Sequence, residues 1–243
     1  ERRWVVYADE SRFDGSLVPP GWQGWLNHQR EKAPNEEPVP VKRWEKEPGQ
    51  PVCEADLAVN HMLYEALGRI DAQAGWLSEE TADNPARLSA QRLWVVDPID
   101  GTKDYLAGKP GWSVSVALIE QGQPIIGVLA APARNELWIA RVGEGAHRNG
   151  RPIRASARVR LAGARVPAEV LPKADDDLTI VHRPNSIALR MAMVAADEAD
   201  LVAGLRWGGE WDIAAAALIA SEVLPIPGRA ASTSNSPPCR PVS

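Results

Sequence analysis

Apolar positions change their period several times along this chain. Val59, Met62, Leu63, Ala66, Leu67 and Ile70 recur at steps of three and four, a spacing that predicts an amphipathic helix with Asp56 just ahead of it. Residues 93–96 form a short apolar run that predicts a buried strand, ended by Asp97 and Pro98. Trp76-Leu77-Ser78 is a shorter run of the same kind. Residues 112–120 alternate, Gln121-Gly122-Gln123-Pro124 makes a turn, and residues 125–130 and 137–140 predict two further strands, with Gly143-Glu144-Gly145 closing the meander. Helical spacing returns at 187–196 and at 213–221, the second opening with Trp211-Asp212. Strands in a run with helices on either side predict a layered α/β domain.

The two ends break this pattern. Residues 1–48 hold Trp4, Trp22, Trp25 and Trp44, four of the ten tryptophans, among prolines and charges. With no helical stripe or long alternation, such a segment builds little core of its own and reads as an extended arm that docks on something else. Pro225, Pro227, Pro237, Pro238 and Pro241, mixed with serines, continue neither helix nor strand, so residues 223–243 read as a disordered tail. The division expected is 1–48, 49–222 and 223–243, without internal repeats.

Composition narrows the class further. The 243 residues suffice for one large or two small domains, and 44% hydrophobic with 24% charged residues is ordinary for a globular protein. A net charge of -5 argues against a nonspecific binder of nucleic-acid polymers, yet bound cations would still admit a small anionic substrate. Cys53 and Cys239 are the only cysteines, too few for a disulfide framework or a cysteine-rich zinc site. No apolar run approaches a membrane span and no signal peptide opens the sequence, so the cytoplasm is the expected compartment.

The candidate chemistry centres on Trp94-Val95-Val96-Asp97-Pro98-Ile99-Asp100-Gly101-Thr102-Lys103-Asp104-Tyr105. Two carboxylates, a glycine and a hydroxyl follow one another at a strand end, as a metal-assisted phosphate site requires; an Asx-turn is the plainer alternative. Asp56, the pair Glu79-Glu80 and Asp212 add carboxylates at helix starts and at another strand end. Singly, Asp56, Asp212 and Thr102 are helix-cap candidates, Glu79-Glu80 a solvated turn and Lys103 a surface lysine. Together they suit a hard cation such as Mg²⁺, which takes oxygen ligands, and the four histidines have no zinc-like spacing.

In this order, Pro51-Val52-Cys53-Glu54-Ala55-Asp56, Ser78-Glu79-Glu80, residues 94–102, the loop Gly143-Glu144-Gly145-Ala146-His147-Arg148-Asn149-Gly150, and Glu210-Trp211-Asp212-Ile213-Ala214-Ala215-Ala216 resemble the inositol monophosphatase superfamily over about residues 50–222. Asp-Gly-Thr-Lys-Asp-Tyr and Trp-Ser-Val-Ser-Val-Ala-Leu-Ile look most like the bacterial 3'(2'),5'-bisphosphate nucleotidases of the CysQ type. The resemblance implies a layered α-β-α-β sandwich of the inositol monophosphatase/fructose-bisphosphatase type and a Mg²⁺-dependent, Li⁺-sensitive phosphomonoesterase using two or three ions. By the same resemblance, Glu79, Asp97 and the Ile99 carbonyl would hold one ion. Asp97, Asp100 and Asp212 would hold the next. Glu79 and Thr102 would orient a water, with Asp56 supporting Thr102, and the Gly101 and Thr102 N–H groups, beside Asp100, would receive the phosphate. Lys103 and Arg206 are further candidate substrate contacts.

The chain departs from that family in places. Cys53 stands where threonine is usual, and a thiol is the weaker hydrogen-bond partner. The arm occupies the place of an initial helix, and residues 223–227 replace a Gly-Gly turn and further strands, so a domain shortened at both ends is expected. Members specific for inositol carry an acid about seven positions before the Trp-Asp aspartate; here Gly204-Leu205-Arg206 offers none. That favours adenosine 3',5'-bisphosphate over an inositol phosphate as the small phosphorylated substrate. Residues 18–28 and 38–46 resemble the small accessory subunit of NADH:ubiquinone oxidoreductase (complex I), which implies a contact with that complex through residues 1–48 alone. A non-catalytic accessory role, or a fused gene product, is the alternative reading. A homodimer is compatible with either.

Overall fold

The computed structural model describes residues 42–47, 50–203 and 208–223. Most of the expected arm, the tail beyond Val223, and Arg206 lie outside the described residues.

A seven-stranded mixed sheet forms the centre, built from β3 (Gly75–Ser78), β4 (Arg92–Asp100), β5 (Ser113–Glu120), β6 (Gln123–Ala131), β7 (Glu136–Arg141), β8 (Gly145–Arg148) and β9 (Arg151–Pro152) in that spatial order. β3 runs parallel to β4, and every later pair is antiparallel. Successive side chains of a strand face opposite ways, so β4 supplies two cores. Trp94 and Val96 meet Leu63 and Leu67 of helix α1 (Glu54–Ile70) on one face. Leu93 and Val95 join Ala117, Leu129 and Trp138 against helices α3 (Ile187–Ala195) and α4 (Glu210–Ser221) on the other. The short α2 (Thr102–Leu106) follows β4 directly.

Small residues let α4 lie close to the sheet. Ala215 and Ala216 are fully buried, and a Cβ on Gly127 of β6 would come within 2.6 Å of the Ala215 carbonyl oxygen. Close approach of the helix requires glycine there. Two smaller units complete the fold. β10 (Arg165–Pro167) and β11 (Thr179–Val181) form a parallel pair, and β1 (Arg43–Glu47) pairs antiparallel with β2 (Gln50–Cys53) ahead of α1. The layered α/β architecture expected from the sequence is therefore present. Trp44 of the expected arm lies in β1, opposite Val52 of the strand that leads to α1.

Several local expectations are corrected. Pro98 does not stop β4: Asp97 pairs with Ser115 and Asp100 with Ser113, three steps on one strand against two on the other. The extra residue is a bulge, and a proline without an N–H is tolerated there. α1 begins at Glu54 with Cys53 as N-cap, and α4 begins at Glu210 with Gly209 as N-cap. Asp56 and Asp212 are thus the third residues of their helices rather than caps. The apolar stripe marks only the buried face and misses the polar first turn. The meander also continues beyond Gly145, because Asn149 and Gly150, both at positive φ (51° and 71°), make the two-residue turn between β8 and β9.

Candidate active site

The alternation of β4 aims Asp97 to the same side as Leu93 and Val95, toward α4. One carboxylate oxygen from each of Asp97, Asp100 and Asp212 lies within 4.8 Å of the others. Two come from the bulged end of β4 and one from the first turn of α4. Asp212 reaches them because α4 is held against β5 through the Ser115 hydroxyl, which donates to the Trp211 carbonyl at 3.2 Å. Gly208 gives the room, since a Cβ on it would collide with the Asp212 carboxylate.

Asp97 is fully buried. Its Oδ1 accepts the Ile99 N–H at 3.0 Å, while Oδ2 is buried and receives no donor. Burial foremost, then the charges of Asp100, Glu79 and Asp212, push its carboxyl well above the usual range. Asp100 is also raised, chiefly by burial, although the Ser186 hydroxyl (2.6 Å) and the N–H groups of Ala188 (2.7 Å) and Ile187 (3.1 Å) at the start of α3 donate to it. Asp212 is raised by burial too. Converging carboxylates of like charge are unfavourable without a cation between them. A buried carboxylate oxygen with no donor, all-oxygen ligands and no histidine or cysteine in the cluster suit a hard divalent ion.

Beside this cluster the chain turns sharply at Gly101. Its φ is +95°, and a Cβ would sit 2.8 Å from the Ser186 nitrogen and 2.9 Å from the Gly111 oxygen, so glycine is required on two counts. Thr102 follows at the start of α2. Its hydroxyl faces two acceptors, the Ile99 carbonyl at 3.1 Å and Asp56 Oδ1 at 3.4 Å. Asp56 is 1% exposed and is itself held from α1: its Oδ2 accepts the Cys53 N–H at 2.8 Å and the Cys53 thiol at 2.9 Å. Burial first, then the bond to Asp56, pushes the Cys53 thiol up to about 12, so it acts as a donor and not as a nucleophile.

The structure therefore brings together Asp56, Asp97, Ile99, Asp100, Gly101, Thr102 and Asp212. Glu79 lies outside the three-carboxylate cluster but close enough for its charge to raise Asp97. Lys103 is exposed on α2. Two residues went unnoticed in the sequence. Ser186 caps α3, with its oxygen accepting the Leu189 N–H, and also donates to Asp100. Arg190 is 9% exposed and donates to the carbonyls of Ser186 (3.2 Å) and Asn185 (2.8 Å). Its signal was a lone charge inside the apolar run Ala188-Leu189-Arg190-Met191-Ala192-Met193.

Known proteins place this arrangement. The inositol monophosphatase family pattern matches residues 26–223. Inositol monophosphatase 2 of Solanum lycopersicum is 33% identical over 189 residues, covering 70% of this chain and 71% of the relative. The 3'(2'),5'-bisphosphate nucleotidase CysQ of Salmonella typhimurium is 34% identical over 194 residues, covering 74% and 77%. The solved structure of the IMPase of Thermotoga maritima superposes with a TM-score of 0.67 at 30% identity, covering 75% of this chain and 74% of its own. The carboxylates of β4 and α4 are thus the candidate centre of a phosphatase, and this chain belongs to the inositol monophosphatase family.

Proposed function

We propose that this chain is a Mg²⁺-dependent phosphomonoesterase that hydrolyses adenosine 3',5'-bisphosphate. The observation that carries the reading is the convergence of the Asp97, Asp100 and Asp212 carboxylates, with one buried Asp97 oxygen that receives no donor. Asp97, Asp100 and Asp212, with Glu79 and the Ile99 carbonyl, would hold two or three ions. When bound, such ions neutralise phosphate charge and lower the pKa of a water they carry.

The remaining steps belong to the protein. Thr102 points its hydroxyl proton at Asp56 or Ile99, which leaves its lone pairs to accept from the attacking water. Glu79 would orient the same water. The Gly101 and Thr102 N–H groups would take phosphate oxygens; the water oxygen bonds to phosphorus as the ester P–O bond breaks, the leaving alkoxide gains a proton from water and departs as the alcohol, and no covalent intermediate forms.

Arg190 supports the bisphosphate reading over an inositol phosphate. Burial foremost, and then the charge of Arg183, lower the pKa of the Arg190 guanidinium, while the charges of Asp100 and Asp212 act the other way. The positive charge of Arg190, within the field of these carboxylates, would attract a second phosphate. Lys103 and Arg206 remain further candidate contacts. Among the described residues no helix is long and apolar enough to cross a membrane, which is compatible with a cytoplasmic enzyme.

The test is phosphate release from adenosine 3',5'-bisphosphate and from inositol 1-phosphate by the full chain. Release that needs Mg²⁺, is inhibited by Li⁺ and prefers the nucleotide is expected. Equal release in EDTA overturns the metal reading, and preference for inositol 1-phosphate overturns the substrate.

A further inference from the structure

Asn60 of α1 spans a turn that it does not belong to. Ser78 ends β3, and its carbonyl accepts the Thr81 N–H at 3.3 Å, closing a four-residue turn whose two central residues are Glu79 and Glu80. The Asn60 amide joins both ends of that turn. Its Oδ1 accepts the Ser78 hydroxyl at 2.7 Å, and its Nδ2 donates to the Thr81 hydroxyl at 3.0 Å. The Trp76 indole N–H donates to the same Thr81 oxygen at 3.3 Å, and the Glu80 N–H donates to the Ser78 oxygen at 3.2 Å. The Glu79 N–H extends the pairing of β3 with β4 by donating to Val96 at 3.3 Å, one residue before Asp97.

The clip is part of a longer brace. Asp56, Asn60 and Tyr64 are spaced four apart on α1 and therefore share one face. Asp56 holds Thr102, Asn60 holds the turn, and the Tyr64 ring meets Trp76 edge-on with centroids 5.2 Å apart. One helix thus sets two sides of the site relative to each other, the Thr102 hydroxyl and the turn that carries Glu79.

We propose that Asn60 and Thr81 are positioning residues for Glu79: the amide clip across Ser78–Thr81 holds the turn in the conformation that presents the Glu79 carboxylate to the ion at Asp97. This rests on the metal reading above. Neither residue touches the ion or substrate; both act by removing alternative conformations of the turn, so the ion finds its ligand already in place.

Mg²⁺ binding to the metal-free full-length protein, followed by calorimetry, tests it with three variants. Asn60→Leu keeps the size and removes the amide; Thr81→Val removes only the hydroxyl; Thr81→Ser keeps it. Asn60→Leu and Thr81→Val are expected to weaken Mg²⁺ binding about three- to tenfold, as befits one or two modest hydrogen bonds. Thr81→Ser should stay within about twofold of the parent, the range of a neutral surface change. The Mg²⁺ concentration for half-maximal phosphate release should rise in parallel, while KM for the substrate at saturating Mg²⁺ is unmoved. Thr81 is exposed, so its variants do not depend on core packing. Parental Mg²⁺ affinity in both Asn60→Leu and Thr81→Val overturns the proposal, as does a rise in substrate KM in place of the Mg²⁺ effect. A parent protein that binds no Mg²⁺ overturns the metal reading and this inference with it.

Discussion

Asp97 and Asp200 are both shielded from water, yet their surroundings are opposites. The Asp200 side chain is 4% exposed and covered by its own partners near the surface. Its oxygens accept from the Ser156 hydroxyl (2.6 Å), the Arg165 N–H (2.8 Å) and the Arg165 guanidinium, with Arg158 at 3.2 Å. The Arg165 hydrogen bond, foremost, holds its carboxyl far below the usual range. Asp97 lies inside the sheet with like charges for neighbours, one oxygen without a donor, and a carboxyl pushed upward. A carboxylate whose lone pairs are all used holds a loop together. One whose charge is left uncompensated is set for a cation that arrives from outside.

The contrast is broken most sharply by removing each charge. Asp97→Asn should lower phosphate release by about a thousandfold, the scale seen when a main electrostatic contact to the transition state is lost. It should also raise the melting temperature in EDTA, because a buried repulsion is relieved. Steady-state kinetics and thermal melting of the same preparation check both; a lower melting temperature would show that the Asp97 charge is compensated within the protein.

Asp200→Asn should do the reverse. It removes the charge opposite Arg165 and Arg158, leaves Asp197 as the remaining acidic partner of Arg165, and costs about 1–2 kcal/mol of stability, the scale of one charge-assisted hydrogen bond at a partly exposed site, while turnover per folded molecule stays unchanged. Urea unfolding with activity normalised to folded protein measures this.

Acid should separate the two surroundings without mutation. Asp97, Asp100 and Asp212 have folded pKa values above the ordinary 3.8, so between that value and their raised values the folded state holds more protons than the unfolded chain. Their stabilising contribution is complete below 3.8 and is lost as pH rises through the raised values. In EDTA, stability should therefore increase as pH falls from 7 to 5, with a slope of up to about 1.4 kcal/mol per pH unit for one net proton. Saturating Mg²⁺ should flatten that slope. Asp200, lowered in the fold, acts only below about pH 3.8, where its stabilisation is lost on acidification. Melting curves from pH 5 to 8 with and without Mg²⁺ decide it.

The smallest effect is expected at Cys53. Cys53→Thr substitutes a better donor for the thiol bonded to Asp56 and should change kcat by no more than about threefold, less than one neutral hydrogen bond is worth. A larger gain would mean that the thiol limits how firmly Asp56 holds Thr102.

Much of the site was legible because neighbouring residues carry it. Asp97, Asp100, Gly101 and Thr102 are contiguous, and the alternation of β4 already aims Asp97 to one face. The sheet meander and the helices were legible for the same reason, since periods of two and of three to four report which side of an element is buried. Polar first turns, the bulge at Pro98 and the short strand pairs β1–β2 and β8–β9 were not, because short segments carry no apolar period.

The sequence by itself determined the periodic helices, the central strands of the sheet and which groups sit at the end of β4. The family resemblance already grouped Asp212 with Asp97 and Asp100; only the tertiary structure decided that Ser186 and Arg190 border them and that Asn60 bridges Ser78 and Thr81 across the turn of Glu79. Each of these contacts depends on α1, α3 or α4 packing onto a particular face of the sheet. That packing arises from long-range burial of apolar surface, which no local pattern of residues encodes.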